Sequence, residues 1–188
     1  MVAPVSRAEN KLENAAKAFN YDFRGKIVLD IGSSTGGFTE YALDHGAKKV
    51  IAVEKGTRQM KAPLRFDERV ELHEKTDIFD FTPDDSEQKI DTILADVSFI
   101  SLTEVLVYAK ARLARENTDF LVMLKPQFEA RPEQLVKGVV KNEKMRRDII
   151  KKFEVFLKEN RFRVVNKRDN TLKGKNGNIE RFYWLKIA

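Results

Sequence analysis

The chain has 188 residues, and its 42% hydrophobic content with 13 phenylalanines indicates a folded protein with a packed core and excludes a disordered one. It contains no cysteine and only two histidines, His45 and His73, which excludes a disulfide framework and a thiolate site and leaves no expected metal centre. The net charge of +6 is concentrated in residues 131–188, where 17 basic and 7 acidic side chains are typical of a polyanion-binding surface, although a solvated lysine-rich surface has the same composition.

The first 125 residues alternate between predicted helices and predicted strands. Residues 6–9 form a capping box, and apolar side chains recur at positions 8, 12, 15, 16 and 19. This pattern predicts an N-terminal helix within residues 1–20. Further helices are predicted at 38–45, around Pro63 in an interrupted form, and at 102–114. This alternation is typical of an α/β protein with a mostly parallel sheet and helices on both faces. The predicted strands are residues 26–30, 50–54, 70–73, 92–96 and 120–125.

The last third of the chain departs from this alternation. Asn142 is expected to cap a helix that extends to residue 159, and strands at 162–167 and 179–187 follow without a helix between them. Their connection, residues 170–178, is predicted to be a turn-rich loop. We therefore expect the two strands to pair antiparallel or to lie near each other at one sheet edge, with an antiparallel C-terminal strand in the sheet. We expect one domain over residues 1–188. The inward-facing residues of the helix are predicted to be Met145, Ile149, Phe153, Phe156 and Leu157.

The loop after the first predicted strand has the spacing D-x-G-x-x-x-G-G, starting at Asp30. It differs from the dinucleotide pattern G-x-G-x-x-G and from the phosphate loop G-x-x-x-x-G-K-[ST]. The spacing suits S-adenosylmethionine, which has no phosphate but carries an amino-acid tail that requires close backbone approach. A dinucleotide and a ligand-free turn are the alternatives. The candidate cofactor-binding residues of this loop are Asp30, Gly32, Ser33, Ser34, Thr35, Gly36, Gly37 and Phe38.

Charged side chains close or follow the other predicted parallel strands. Glu54 closes the second strand, where an acidic residue can accept both hydroxyls of a ribose. Asp77 and Ile78 follow the third strand, and Asp77 either meets an adenine amino group or simply starts a loop. Asp96 ends the fourth strand and Lys125 ends the fifth. Because the carboxyl ends of parallel strands lie at one edge of a sheet, we expect these side chains to border a common ligand site.

Five segments spread over nearly the whole chain carry a family resemblance. They are SRAENKLE from Ser6, LDIGSSTGGFT from Leu29, DVSFIS from Asp96, LKPQFE from Leu124 and GNIE from Gly177. In these motifs the chain resembles the FtsJ-like RNA 2′-O-ribose methyltransferases, and within them the TlyA-type (hemolysin A) branch. The resemblance implies a Rossmann-like fold, S-adenosylmethionine as cofactor, and RNA, with ribosomal RNA expected, as substrate. It also implies a catalytic tetrad without a metal, at Lys11, Asp96, Lys125 and Glu180.

A ribose hydroxyl is a weak nucleophile, so methyl transfer to it needs a base and an in-line approach. Within the tetrad that the resemblance implies, we expect a neutral Lys125 to act as the base. Asp96 is expected to orient Lys125 and the methyl group, and Glu180 to orient Lys11 or the substrate hydroxyl. A base placed in this way contributes on the order of 10²–10⁴-fold in rate.

Recognition of the RNA is expected to involve basic side chains beside the tetrad or in predicted loops. Members of this branch carry an N-terminal S4-type RNA-binding domain, whereas this sequence starts almost directly at the predicted catalytic helix. We therefore expect that another surface recognises RNA, that a separate guiding partner does so, or that this is a separated domain. Neutralising phosphates needs only reach and charge, although each residue could instead be an ordinary solubilising charge. The RNA-binding candidates, besides Lys11, are Arg7, Arg131, Lys137, Lys173 and Lys175.

Two other functions stay open at the level of sequence. An NAD-linked oxidoreductase is disfavoured because the chain lacks G-x-G-x-x-G and a His or Tyr constellation for hydride transfer. A non-catalytic RNA-binding or ribosome-assembly factor would bind the methyl donor without transferring its methyl group. The sequence has no signal peptide and no apolar run of membrane-spanning length, so we expect a cytoplasmic protein without a membrane partner.

Overall fold

The computed structural model describes residues 7–83, 89–172, 174 and 176–188. Its helices are α1 (Arg7–Phe19), α2 (Gly37–Asp44), α3 (Ala62–Arg65), α4 (Leu102–Arg112), α5 (Pro126–Glu129) and α6 (Glu143–Glu159). Its strands are β1 (Ile27–Ile31), β2 (Lys49–Glu54), β3 (Val70–Glu74), β4 (Thr92–Ala95), β5 (Asp119–Leu124), β6 (Leu135–Val136), β7 (Val139–Val140), β8 (Phe162–Asp169) and β9 (Arg181–Ile187).

Seven of the strands form one sheet in the order β3-β2-β1-β4-β5-β9-β8. The first five in this order run parallel, and β1 pairs with both β2 and β4, so the strand order reverses at β1. In such sheets, ligands bind where the order reverses, at the ends of the strands. We call this side of the sheet the carboxyl edge. It is formed by the residues directly after Ile31, Glu54, Glu74, Ala95 and Leu124.

The C-terminal strand β9 lies antiparallel between β5 and β8, which confirms the predicted antiparallel strand. Leu124 at the end of β5 pairs with Arg181 at the start of β9. Asp169 at the end of β8 pairs with the same Arg181. The start of β9 and the end of β8 therefore lie at the carboxyl edge, beside the end of β5.

Two apolar layers cover the sheet, one on each face. One layer joins α1 and α2 to the sheet through side chains such as Leu12 and Phe38. The other joins α4 and α6 through side chains such as Leu106 and Phe153. Leu12 is fully buried and Leu106 nearly so, and burying a side chain of this size contributes roughly 1.5–3 kcal/mol. The mostly parallel sheet with helices on both faces agrees with the predicted α/β class.

The long C-terminal helix differs in part from its predicted pattern. Asn142 caps α6 as predicted, because its Oδ1 accepts a hydrogen bond from the Met145 backbone N–H at 2.9 Å. The predicted inward position of Phe156 is confirmed, because this half-buried side chain packs against the core layer that contains Phe153, whereas the prediction is wrong in part for Met145, which is only half-buried. Arg146 is buried on this helix instead. Its guanidinium can be buried because it donates to Asp169 Oδ1 at 2.7 Å and to the Ile179 carbonyl at 3.1 Å.

Three short elements lack a sequence prediction. α5 is a single turn, and β6 and β7 form a two-residue hairpin, so none is long enough to show a hydrophobic period. The predicted cap residue Ser6 lies outside the described residues. Within the described ranges, no helix combines the length and the apolar character needed to cross a membrane.

Candidate active site

A cavity of about 520 Å³ opens at the carboxyl edge, between the ends of β1, β2 and β4. This volume is within the range of small-molecule sites, roughly 300–1,000 Å³. Six predicted cofactor residues line it, which places the glycine loop and the strand-end side chains around one space. These residues are Gly32, Ser34, Glu54, Asp77, Ile78 and Asp96.

The other predicted cofactor residues form the turn that supports the cavity. Gly36 has φ +95° and caps the start of α2, where a Cβ atom would lie 2.5 Å from Leu64 Cδ1. Gly32 has φ +78°, and a Cβ there would lie 3.1 Å from the Asp96 carbonyl oxygen. Both positions therefore need glycine for backbone conformation and for space. Ser33, Thr35 and Gly36 belong to this turn, Asp30 lies in β1, Gly37 and Phe38 begin α2, and none of the six lines the cavity.

Asp30 carries a fully buried carboxyl group near the end of β1, just before this turn. Its Oδ2 accepts a hydrogen bond from the Thr39 hydroxyl at 2.7 Å, whereas its Oδ1 has no partner among the described residues. Burial raises the pKa of Asp30 to about 7, and the nearby Asp96 and Glu54 carboxylates act in the same direction. Ser33 Oγ is also buried without a partner in the described part of the chain. Buried polar atoms of this kind can complete their hydrogen bonds with a ligand or water.

Glu54 braces the glycine loop from the end of β2. Its Oε2 accepts a hydrogen bond from the Ser34 backbone N–H at 2.8 Å, and its Oε1 accepts one from Gly56 N–H at 2.6 Å. The Ser34 backbone has φ +48°, a conformation that is uncommon for a residue with a side chain. The carboxylate thus holds a strained loop residue at the wall of the cavity.

Asp77 lies at the opposite wall, after β3. Its carboxylate accepts a hydrogen bond from the Phe79 backbone N–H at 3.2 Å and pairs with Lys55 at 2.8 Å. The hydrogen bond from Lys55, then the one from the Phe79 N–H and lastly the charge of Lys55 lower the pKa of Asp77. A charged acceptor is therefore maintained at this wall near neutral pH.

Two ion pairs contain the four residues of the tetrad that the resemblance implies. Lys125 Nζ lies 2.6 Å from Asp96 Oδ1, and Lys11 Nζ lies 2.5 Å from Glu180 Oε2. The four side chains are between 4% and 17% exposed, so both pairs are largely shielded from water. Asp96 also lines the cavity, which connects the first pair to the cavity directly.

The sheet register brings the two ion pairs to the same edge. Lys125 directly follows Leu124 and Glu180 directly precedes Arg181, and Leu124 and Arg181 pair across β5 and β9. Lys125 and Glu180 therefore leave neighbouring strands at the same level of the carboxyl edge. Lys11 reaches this level from α1, although it lies 169 positions from Glu180 in the chain.

Glu129 joins the two motif segments that carry Asp96 and Lys125, a contact that sequence reasoning did not predict. Its carboxylate accepts hydrogen bonds from the Ser101 hydroxyl at 2.6 Å and from the Leu102 backbone N–H at 2.7 Å, at the start of α4. Burial raises the pKa of Glu129. Glu129 was visible in the sequence only as the last letter of a motif.

Phe99 is a second functional candidate that sequence reasoning missed. Its side chain is 90% exposed and lines the cavity, and its backbone φ is +67°. The ring lies against Phe128 with centroids 5.1 Å apart, and Lys125 Nζ lies 5.9 Å from the Phe128 centroid. The sequence signal was an aromatic residue three positions after an acid that ends a strand.

The predicted RNA-binding residues lie in several places. Arg7 begins α1, and Lys173 and Lys175 lie outside the described residues. Arg131 and Lys137 are exposed, and Lys137 has φ +49° at the tip of the β6–β7 hairpin. Asn178, in the segment that leads through Glu180 into β9, bonds to the hairpin. Its side-chain oxygen accepts a hydrogen bond from Val140 N–H at 3.1 Å, and its side-chain nitrogen donates one to the Gly138 carbonyl at 2.9 Å.

Comparisons with known proteins identify the family to which this chain is similar. Residues 4–187 match the FtsJ-like methyltransferase family. The chain is 37% identical over 182 residues to the 23S rRNA (cytidine-2′-O)-methyltransferase TlyA of Campylobacter jejuni, covering 96% of this chain and 70% of that protein.

Solved structures give the same result for the fold. A candidate hemolysin from Streptococcus thermophilus matches with a TM-score of 0.93 and 35% identity, covering 100% of this chain and 68% of that one. A Burkholderia thailandensis 1,6-didemethyltoxoflavin-N1-methyltransferase, solved with bound S-adenosylhomocysteine, matches with a TM-score of 0.65 and 19% identity over 97% of this chain and 77% of that one. The second likeness concerns the fold alone.

Proposed function

This chain belongs to the FtsJ-like methyltransferase family, and we propose that it transfers a methyl group from S-adenosylmethionine to a cytidine ribose 2′-hydroxyl of ribosomal RNA. The observation that carries the proposal is the Lys125–Asp96 ion pair, in which Asp96 also lines the cavity at the carboxyl edge. The rRNA and cytidine specificity rests on the function named for the Campylobacter jejuni relative. With rRNA as substrate, we propose that the enzyme acts in the cytoplasm, where ribosomes function.

The cavity and its supporting turn fit the methyl donor. S-adenosylmethionine supplies a methyl group on a sulfonium centre, from which an oxygen nucleophile can accept it. Gly32, Ser34, Glu54, Asp77 and Ile78 would hold the donor, because they line the cavity. Gly32 itself lines the cavity and has no side chain, so a ligand can approach its backbone closely. Asp30 Oδ1, at the end of β1, and Ser33 Oγ, in this turn, are buried and have no hydrogen-bond partner among the residues that the structure describes.

Lys125 is proposed to be the general base. Its Nζ is held by Asp96 Oδ1 at 2.6 Å and by Ser98 Oγ at 2.9 Å. A neutral lysine amine has two N–H donors and one lone pair. Donation to Ser98 uses one N–H group of the amine, Asp96 Oδ1 lies beside the amine, and the lone pair remains for the proton of the substrate hydroxyl. Asp96 and Ser98 are therefore positioning residues for Lys125, and such a base contributes on the order of 10²–10⁴-fold in rate.

The Lys11–Glu180 pair is proposed to orient the attacking ribose. Glu180 is only 4% exposed and holds Lys11 Nζ at 2.5 Å, which fixes the end of a long and otherwise mobile side chain. The remaining N–H groups of Lys11 can donate to ribose or phosphate oxygens. Fixing the ribose before reaction lowers the entropic part of the barrier.

The experiment that tests this function is a methyl-transfer assay. Labelled S-adenosylmethionine is incubated with the chain and with unmodified rRNA transcripts, separated subunits or intact ribosomes, and the modified position is mapped. Label on a ribose 2′-oxygen of cytidine supports the proposal. Donor binding without transfer to any RNA would instead favour a non-catalytic RNA-binding or assembly factor. Transfer only after addition of cell extract would indicate a separate RNA-guiding partner.

A further inference from the structure

Arg168 is an exposed arginine beside the Lys11–Glu180 pair, and no sequence motif indicated it. It lies one residue before the end of β8, where it pairs in register with the buried Phe182. Side chains of directly opposed strand residues point to the same face of a sheet, and Phe182 packs in the layer beneath α1. Arg168 accordingly lines one narrow crevice with Lys11 and Asn14 of α1.

The carboxylates around Arg168 are already engaged by other cations. Asp169 Oδ1 accepts hydrogen bonds from Arg146 at 2.7 Å and from Arg181 at 2.6 Å. Glu180 pairs with Lys11 at 2.5 Å. Across the described residues, the Arg168 guanidinium has neither a hydrogen bond nor an ion pair. Its charge is therefore available to an anion from outside the chain.

We propose that the Arg168 guanidinium binds a phosphodiester of the RNA next to the ribose that Lys11 and Lys125 act on. The inference rests on the proposed function and deepens it. The carbon that bears a 2′-hydroxyl is bonded to the carbon that bears the 3′-phosphate, so a phosphate must lie near any ribose held at the tetrad. Arginine suits this partner because its planar fork can donate two parallel hydrogen bonds to phosphate oxygens.

The position of Arg168 at the carboxyl edge supports this assignment. The neighbouring Asp169–Arg181 pair is the last in register between β8 and β9, at the level where β5 ends. β8 is also the outermost strand of the sheet, so a bulky polyanion can approach it from the side. An arginine in this place adds a fixed positive charge beside the catalytic ion pairs without burying it.

The test compares Arg168→Ala with Arg163→Ala as the matched control. Arg163 is an exposed arginine on the same strand, but it pairs with Lys186 near the opposite edge of the sheet. Binding of an unmodified rRNA transcript is measured over a series of salt concentrations, together with donor affinity and the thermal midpoint. For Arg168→Ala we expect weaker RNA binding and a salt slope smaller by about one. Donor affinity and the thermal midpoint should stay unchanged, and Arg168→Lys should restore most of the slope.

Three results would overturn the inference: an unchanged RNA affinity and slope in Arg168→Ala, an equal loss in Arg163→Ala, or no RNA binding by the unsubstituted chain. Methyl transfer by the unsubstituted chain reports separately on the proposed function. A chain that methylates rRNA while Arg168→Ala binds it normally would retain the function and refute the role of Arg168. A chain that binds rRNA through Arg168 but transfers no methyl group would support the role of Arg168 and refute the proposed function.

Discussion

The carboxylate of Glu129 accepts a hydrogen bond from the Ser101 hydroxyl at 2.6 Å and thereby connects the segment after β4 to the segment after β5. Asp96 lies in the first segment and Lys125 in the second, and the two form an ion pair. The contact therefore holds together the two loops that meet at the candidate active site.

Replacing Glu129 by alanine is expected to destabilise the protein and to weaken its activity. The change removes the acceptor of the Leu102 N–H and would leave this group unpaired at a cost of about 1–3 kcal/mol, whereas Ser101 Oγ keeps its hydrogen bond to Thr103 Oγ1 at 2.6 Å. Chemical denaturation measures this loss. Glu133→Ala is the control, because Glu133 is 66% exposed and only approaches Arg131 at 3.8 Å. Equal stability of the two variants would contradict the bracing role.

Replacing Lys125 by alanine is expected to lower methyl transfer by at least about 10²-fold, the usual contribution of a general base. Donor affinity should change little, since Lys125 does not line the cavity. The matched control is Lys49→Ala, which removes an ion pair of similar length, 2.5 Å to Glu71, at the start of β2 on the opposite edge. Single-turnover assays with labelled donor compare the variants. Normal transfer by Lys125→Ala would remove Lys125 from the catalytic role.

The free energy of unfolding should depend on pH through the ionisation of Asp30. Burial raises its pKa to about 7 in the folded protein, whereas an unfolded aspartate titrates near 4. The folded state therefore holds the proton more tightly, and the free energy of unfolding falls as pH rises from about 4 to about 7. Asp30→Asn cannot ionise and should lack this fall. Denaturation of both proteins at several pH values measures the difference.

Ionisation of Asp30 should increase donor affinity as pH rises, whereas it lowers the free energy of unfolding. A cationic donor favours ionised Asp30, so affinity for S-adenosylmethionine should increase as pH rises through about 7, and Asp30→Asn should flatten this profile. Calorimetric titration at each pH measures it. An identical pH profile in the two proteins would show that Asp30 does not sense the donor.

Replacing Phe99 by glycine is expected to affect stability and RNA binding differently. Its positive φ of +67° is costly for a residue with a side chain, whereas glycine adopts it freely. Phe99→Gly should thus be as stable as the parent or more stable. It should nevertheless bind RNA more weakly, because a base stacked on an aromatic ring is worth roughly 1–3 kcal/mol.

The control for Phe99 is Phe66→Ala. Phe66 is 81% exposed but does not line the cavity, so its loss should leave RNA affinity unchanged. Thermal denaturation and RNA titration are measured on all three proteins. A Phe99→Gly variant that loses stability but keeps its RNA affinity would show that the exposed ring serves packing.

Much of the fold could be predicted because its signals are local. Short apolar runs and helical periods mark each long element, and the lack of a helix between β8 and β9 predicts their antiparallel pairing. The buried Arg146 could not be predicted in this way, because its burial depends on Asp169 and the Ile179 carbonyl from a distant segment. Phe99 and Arg168 were not predicted, because no local sequence pattern shows that an exposed side chain lies beside a cavity or crevice.

The sequence by itself determined the alternation of strands and helices, the glycine loop after β1, and the residue types available at the strand ends. Only the tertiary structure decided which of these groups meet. Lys11 pairs with Glu180 across 169 positions, and Lys125 pairs with Asp96, because the strand order and the β5–β9 register bring their backbones to one edge. Local propensity depends on neighbours along the chain, whereas a charge pair depends on neighbours in space. Only in the folded chain do the glycine loop and Asp96 line the same cavity.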